Sequence, residues 1–345
     1  MIKQYLLTLL SAEQPRRIRV VENVLKNKRT VANLFWAKTY GLLPWLGADP
    51  HLSRADYEQS LREWREQRLL KDDPVMLQLT PAGVKAKQNW LQSHYQPHFF
   101  DYYWVTNPTR LARRTLLAIQ TLSELAAHNT RYAPLAVDME DLLAVKKWVV
   151  GLDRSVISTI GHQCLQFATA LARIDPRLAD LFSSQLVGHQ VSGIPAQQEA
   201  FALGVEATEL FLMNRDLWLA FGWWFLTEPG QLTPLVRPLL HSNALPGSAS
   251  QTLRAFKAGQ TVKTISTRRH LKVSTIREHL LAAAILTPDQ VDWDRLLPSK
   301  IRTTLAQTYS GPVTKWQFRG DHDPVAFFYY RLYQIFKERE NESNS

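Results

Sequence analysis

Apolar positions recur every three to four residues along most of this chain, the spacing of helices that bury one face. Leu111–Ala127, Asp138–Gly151, Val156–Arg173, Asp175–Ser184, Gln197–Met213 and Leu217–Leu226 each read as a helix, punctuated by Pro134, Gly151, Pro176, Gly193, Pro195 and Pro229. Trp218–Phe225 is apolar all round, so it is either deep core or a protein-docking patch. Nearer the N-terminus, Met1–Leu10 predicts a short helix and Gln14–Lys26 a second, with Ile18, Val21, Val24 and Leu25 on one face. Thr30 is placed to cap a third through Tyr40, closed by Gly41, and Ser53 opens a fourth. Val75–Gly83 reads as an alternating strand ending in Leu-Thr-x-x-Gly. The last amphipathic segment is Val325–Arg339.

One stretch departs from this scaffold-like pattern. Ser248–Thr287 reads as three short helices. The first, Ser250–Ala258, ends at Gly259; Thr261 caps the second, which runs to about His270; Ser274 caps the third, Thr275–Ala284. Val262, Ile265, Leu271, Val273, Ile276 and Leu280 can close one small core, which makes the second and third helices a helix-turn-helix. A connection requiring φ > 0 at His270 would be strained.

Charge sharpens the picture. The chain carries a formal +10, from 41 Lys and Arg against 31 Asp and Glu in 345 residues, which favours polyanionic partners. Within Ser250–Thr287 seven cations (Arg254, Lys257, Lys263, Arg268, Arg269, Lys272, Arg277) face one anion, Glu278. A basic face on a helix-turn-helix is a footprint for phosphates; the alternative is a solvated subdomain that docks on protein. Ser274 and Thr275 begin the helix expected to enter a major groove. The expected DNA-binding set is therefore Lys263, Arg268, Arg269, Lys272, Ser274, Thr275, Arg277 and Glu278, with His279 read as a structural histidine.

The run Ile265–Leu280, with its Arg268, Leu271, Ser274-Thr275-Ile276 and His279-Leu280, resembles the helix-turn-helix at the C-terminal end of many RecQ-family helicases. The order of segments is similar to that of YpbB-type proteins of low-GC Gram-positive bacteria, where this module sits on a separate polypeptide encoded beside a RecQ-type helicase. Ser266, His270 and Lys272 stand where the family pattern has a small Ala, often Gly, and often Ser. The segment ending Leu79-Thr80-Pro81-Ala82-Gly83 resembles the wing of winged-helix domains. The expected fold is mostly α and multidomain: a winged-helix-like domain over residues 1–100, a helical body over 101–240, and the helix-turn-helix with C-terminal helices over 241–345.

The chemistry of catalysis is missing from the pattern. There is no phosphate-cradling G-x-x-x-x-G-K-[ST] loop, which excludes a helicase motor, and no H-E-x-x-H or G-x-S-x-G. Asp292/Asp294 and Asp321/Asp323 read as caps and turn formers. His94 and His98 lack companion ligands, and the single cysteine, Cys164, excludes a multi-cysteine zinc site. The aromatic run Trp90–Trp104 reads as core joining two domains in preference to a base-stacking platform. No segment has the length of a membrane span. The expectation is a cytoplasmic, non-enzymatic accessory protein, nucleoid-associated when bound to DNA. Its expected partners are DNA and, as the resemblance implies, a RecQ-type helicase in repair or recombination; no cofactor, metal, membrane or small-molecule substrate is expected. The rivals are a transcription regulator, which needs dimerisation and a palindromic site, and a docking module without nucleic-acid affinity.

Overall fold

The computed structural model describes residues 3–153, 156–321 and 323–343. They are mostly α-helical, and their contacts group into two compact units. The first comprises Met1–Ile18, Leu25–Asn27 and Pro44–Ser242; the second comprises Arg19–Val24, Lys28–Leu43 and Asn243–Ser345. This division has two units where the sequence expectation has three domains, and residues 44–100 fall in one unit with 101–242. Residues 19–24 and 28–43 group with the C-terminal module, because packing follows apolar faces wherever they lie along the chain.

In chain order the helices are α1 (Ile18–Leu25), α2 (Val31–Thr39), α3 (Arg54–Glu66), α4 (Pro81–Ser93), α5 (Pro108–Ala126) and α6 (Met139–Val150). Then come α7 (Val156–Ala172), α8 (Pro176–Ser184), α9 (Ala196–Leu203), α10 (Ala207–Thr227) and α11 (Thr233–Val236). The C-terminal set is α12 (Gly247–Lys257), α13 (Val262–Arg269), α14 (Val273–Leu286), α15 (Trp293–Leu296), α16 (Ser299–Thr308) and α17 (Pro324–Ser343). The sequence signals for Thr30 and Ser53 act as read: their hydroxyls accept from the backbone N–H of Asn33 and Asp56. Gly41 takes φ 64° and closes α2.

The first unit is built around α10, which packs against α5, α8 and α9. Leu217, Trp218, Leu219, Phe221 and Phe225 are buried, and Phe221 meets Phe167 of α7 and Phe182 of α8 edge-on or tilted at 5.1 and 6.1 Å. The Trp218–Phe225 run is therefore core and not a docking patch, since α10 is surrounded by apolar faces on several sides. The aromatic run after α4 is core as well. Tyr95 and Phe100 are buried, and Tyr102 stacks on Trp223 at 4.2 Å. The buried Asp216 carboxylate accepts from Tyr95 Oη at 2.5 Å and from the N–H groups of His98 and Phe99, both at 2.7 Å. Arg114 is buried against the equally buried Asp141, which also takes Arg110.

Near the N-terminus the structure corrects two expectations. Arg16–Arg17 is a short strand pairing antiparallel with Met76–Leu77, so the helix expected from Gln14 starts only at Ile18. The strand read up to Gly83 stops early; Thr80 instead caps α4 through the N–H of Gly83. A bridge between Leu70 and Leu79 closes the segment between them into a hairpin.

Candidate nucleic-acid interface

Unit two contains the basic stretch, and α14 is its central helix, packed against α12, α13, α2 and α17. Ile265, Ile276, Leu280, Leu281, Ala283, Ala284 and Ile285 form its core, joined by Leu253 and Phe256 of α12 and Leu34 and Phe35 of α2. Of the six apolar residues expected in the small core, Ile265, Ile276 and Leu280 are fully buried, Val262 and Leu271 are half-buried, and Val273 is exposed. Val273 lies outside because α14 begins one residue earlier than its cap was placed. Lys272 is the N-cap with no side-chain cap bond, and Ser274 sits inside the first turn.

The connection between α13 and α14 is three residues, His270-Leu271-Lys272. Thr261 caps α13 as expected, accepting from Thr264 N–H at 3.1 Å. At its other end His270 takes φ 52°, ψ 39°, the left-handed conformation, while Leu271 N–H reaches back to Ser266 O at 3.1 Å. That geometry ends a helix sharply and suits glycine best, so a β-carbon there stores strain. Ser266 Oγ donates to Leu271 O at 2.5 Å, the use for a hydroxyl where the resembling pattern has Ala.

The structure sorts the expected DNA-binding residues into two groups. Lys263 and Arg268 on α13, Lys272 in the connection, and Ser274 and Glu278 on the first turns of α14 are exposed; Thr275 is half-buried beside them. Lys263, Arg268 and Lys272 have no ion-pair partner among the described residues. On α13 the exposed positions 263, 264, 267 and 268 form one face at helical spacing. The C-terminal half of α14 is buried, so this helix offers solvent only its N-terminal turns, where the helix dipole favours an anion.

Arg269 and Arg277 are different. Arg269 Nη1 donates to Ser248 O at 2.8 Å and to Thr252 Oγ1, and its Nη2 donates to Ser248 Oγ and Gln251 Oε1, both at 3.0 Å. Arg277 is half-buried, its guanidinium 5.9 Å from the Phe328 ring centre on α17. Sequence reasoning saw two more cations on a basic face; their partners are 17 or more residues away in the chain and carry no local signal. His279 turns inward onto the first helix of the module, α12: Nδ1 lies 2.9 Å from the Oγ1 of fully buried Thr252. Burial, and then the neighbouring Arg269, hold the imidazole below its ordinary range, outweighing Glu278. Thr252 Oγ1 also accepts from Arg269 and donates to Ser248 O at 3.4 Å, so His279 joins a network that spans α12, α13 and α14.

α2 joins this unit from the other end of the sequence. Thr39 Oγ1 lies 2.7 and 2.9 Å from the two carboxylate oxygens of Glu338, and the Arg331 guanidinium sits 4.3 Å from the Phe35 ring centre. Arg295 ties α15 to the end of α12, with bonds to Phe256 O and Gln260 O.

Comparison with known proteins agrees with this geometry. Residues 248–316 match a family described as a helix-turn-helix domain, which supports DNA binding by this unit. The chain is also similar to Protein YpbB of Bacillus subtilis (strain 168), 22% identical over 275 residues that cover 78% of this chain and 77% of that protein. No solved structure matches. Among the described residues no helix is long and apolar enough to cross a membrane.

Proposed function

We propose that this chain is a non-enzymatic accessory protein that binds DNA through the exposed face of α13 and the start of α14 and partners a RecQ-type helicase in repair or recombination. The observation that carries the DNA reading is the trio Lys263, Arg268 and Lys272, exposed beside the uncapped N-terminus of α14 with no acidic partner among the described residues. Cations held out to solvent gain little for the fold and are suited to displacing counterions from phosphates. Ser274, Thr275 and Glu278 lie on the same turns and are the side chains for base edges or phosphate oxygens. The helicase reading is supported by the resemblance of Ile265–Leu280 to the RecQ-associated module and by the similarity to Protein YpbB. In this reading the chain acts by tethering, adding a second DNA-binding module that raises the local concentration of a motor on DNA.

The helicase contact belongs outside Ser248–Thr287. With Trp218–Phe225 in the core, the N-terminal region, with its wing-like hairpin at Leu70–Leu79, is the better candidate for it. The test is retention of the host's RecQ-type helicase on the tagged full-length chain after nuclease treatment, with binding measured separately on single-stranded, duplex and forked DNA. Helicase retained without DNA, together with salt-dependent binding, is the expected result. A dimer selecting one palindromic duplex and ignoring the helicase would instead make the chain a transcription regulator. ATP turnover above a mock preparation would refute the non-enzymatic assignment.

A further inference from the structure

The bonding around Arg269 separates it from the cations beside it. A guanidinium has five N–H donors. Four hydrogen bonds engage both terminal nitrogens of Arg269 with acceptors on the first turns of α12: Ser248 O, Ser248 Oγ, Gln251 Oε1 and Thr252 Oγ1. Thr252 is fully buried and passes the contact to His279 Nδ1 on α14 at 2.9 Å. One side chain at the end of α13 thus joins three helices, directly to α12 and through Thr252 to α14. To reach a phosphate, Arg269 would have to abandon its bond to the fully buried Thr252 hydroxyl, which water cannot replace without opening the core, and three further acceptors on α12. Arg268, one residue earlier, has no such ties among the described residues and is exposed.

Resting on the DNA-binding reading above, we propose that Arg269 is a positioning residue of the interface and not a phosphate contact. It locks α12, α13 and α14 in the arrangement that presents Lys263, Arg268, Lys272 and Ser274. The Ser248–Gln251–Thr252 acceptors and His279 complete the device, and the fork shape of the arginine is what the site requires. A lysine keeps the charge but cannot supply donors in that planar geometry.

The two roles differ in salt dependence. The full-length chain and its Arg268→Gln, Arg269→Gln, Arg269→Lys, Thr252→Val and Arg269→Gln/Thr252→Val variants are titrated against one duplex at several salt concentrations. The folded fraction is measured by circular dichroism. Arg268→Gln is expected to reduce the slope of log K against log salt by about one unit. Arg269→Gln and Arg269→Lys should each weaken binding by about tenfold while leaving the slope within about 0.3 of the parent's, because no phosphate contact is lost. Thr252→Val should weaken binding in the same way. Adding it to Arg269→Gln should cost no more than about a further twofold, since both changes break one network. Should Arg269→Gln fail to fold, Arg269→Lys and Thr252→Val carry the comparison. The assignment is overturned if Arg269→Lys binds like the parent, or if Arg269→Gln lowers the slope as Arg268→Gln does. A parent chain without salt-dependent binding would remove the DNA-binding reading itself, a different result from either of these.

Discussion

Replacing Lys263, Arg268 and Lys272 together by Gln tests the exposed face where it is most specific. All three side chains are solvent-exposed, none has an ion-pair partner among the described residues, and Lys272 makes no side-chain cap bond. The folded state therefore loses little, and stability should stay within about 0.5 kcal/mol per site. The binding effect follows from counterion release, with a slope of about −0.9 per neutralised phosphate on duplex DNA. Three contacts contribute about −2.7, so a fourfold rise in salt, from about 50 to about 200 mM, weakens their share of binding by about 40-fold. The triple variant should bind more weakly at low salt, and its disadvantage should shrink by about that factor across the range. The loss should be similar for unrelated duplex sequences, because phosphates carry no sequence. Fluorescence anisotropy with a labelled duplex at four salt concentrations, backed by a melting curve for each protein, measures all of this. A folded triple variant whose slope equals the parent's would refute the assignment. If Arg269 and Arg277 also met phosphates, replacing them as well would remove a further slope of about −1.8, and the structure argues against that.

Other substitutions probe how the fold holds the interface. His270→Gly should stabilise the protein by about 0.5–1 kcal/mol in urea unfolding, since relief of left-handed strain exceeds glycine's entropic cost. No change or a loss would mean that the imidazole makes a compensating contact. A β-carbon at Gly83 would lie 2.1 Å from Leu69 O, which also accepts from Thr80 N–H at 3.0 Å. Gly83→Ala should therefore cost about 1–3 kcal/mol, read from the urea midpoint. Gly161→Ala, whose β-carbon meets nothing within 4 Å, is the control and should cost nothing. His279 titrates below its ordinary value in the folded chain, so on acidification the unfolded chain takes up the proton first. Stability should be complete above the ordinary histidine range and fall as pH drops through it toward the folded-state value. His279→Gln should remove that component; an unchanged pH dependence of melting in the variant would refute it.

Caps, charge and periodicity are local, and they were legible. Thr30, Ser53 and Thr261 act on N–H groups three residues away, so their sequence signals and their structural roles coincide. The one-sided charge of Ser250–Thr287 was likewise visible from residue order, and so was a break after about His270, which the structure places one residue earlier. Period counting also found the helices, although it placed the start of α14 late, because a serine offers a cap signal whether or not the backbone uses it. Alternation after Val75 suggested a strand through Gly83, whereas Thr80 starts a helix there and Gly83 is required by Leu69 O, a neighbour from across the hairpin.

Tertiary structure decided what each cation does and what completes the module. Arg268 and Arg269 are adjacent and chemically identical, yet one faces solvent and the other is spent on α12, a difference set by a 100° turn of the helix. The same holds for Trp218–Phe225, whose uniform apolarity fits a core or a docking surface equally well until neighbouring helices cover it. The grouping of α2 with α14 and α17 joins segments more than two hundred residues apart, through Thr39–Glu338 and Phe35–Arg331. Periodicity reports that a helix has an apolar face; which face it meets depends on the closure of the whole chain, and only the assembled structure contains that information.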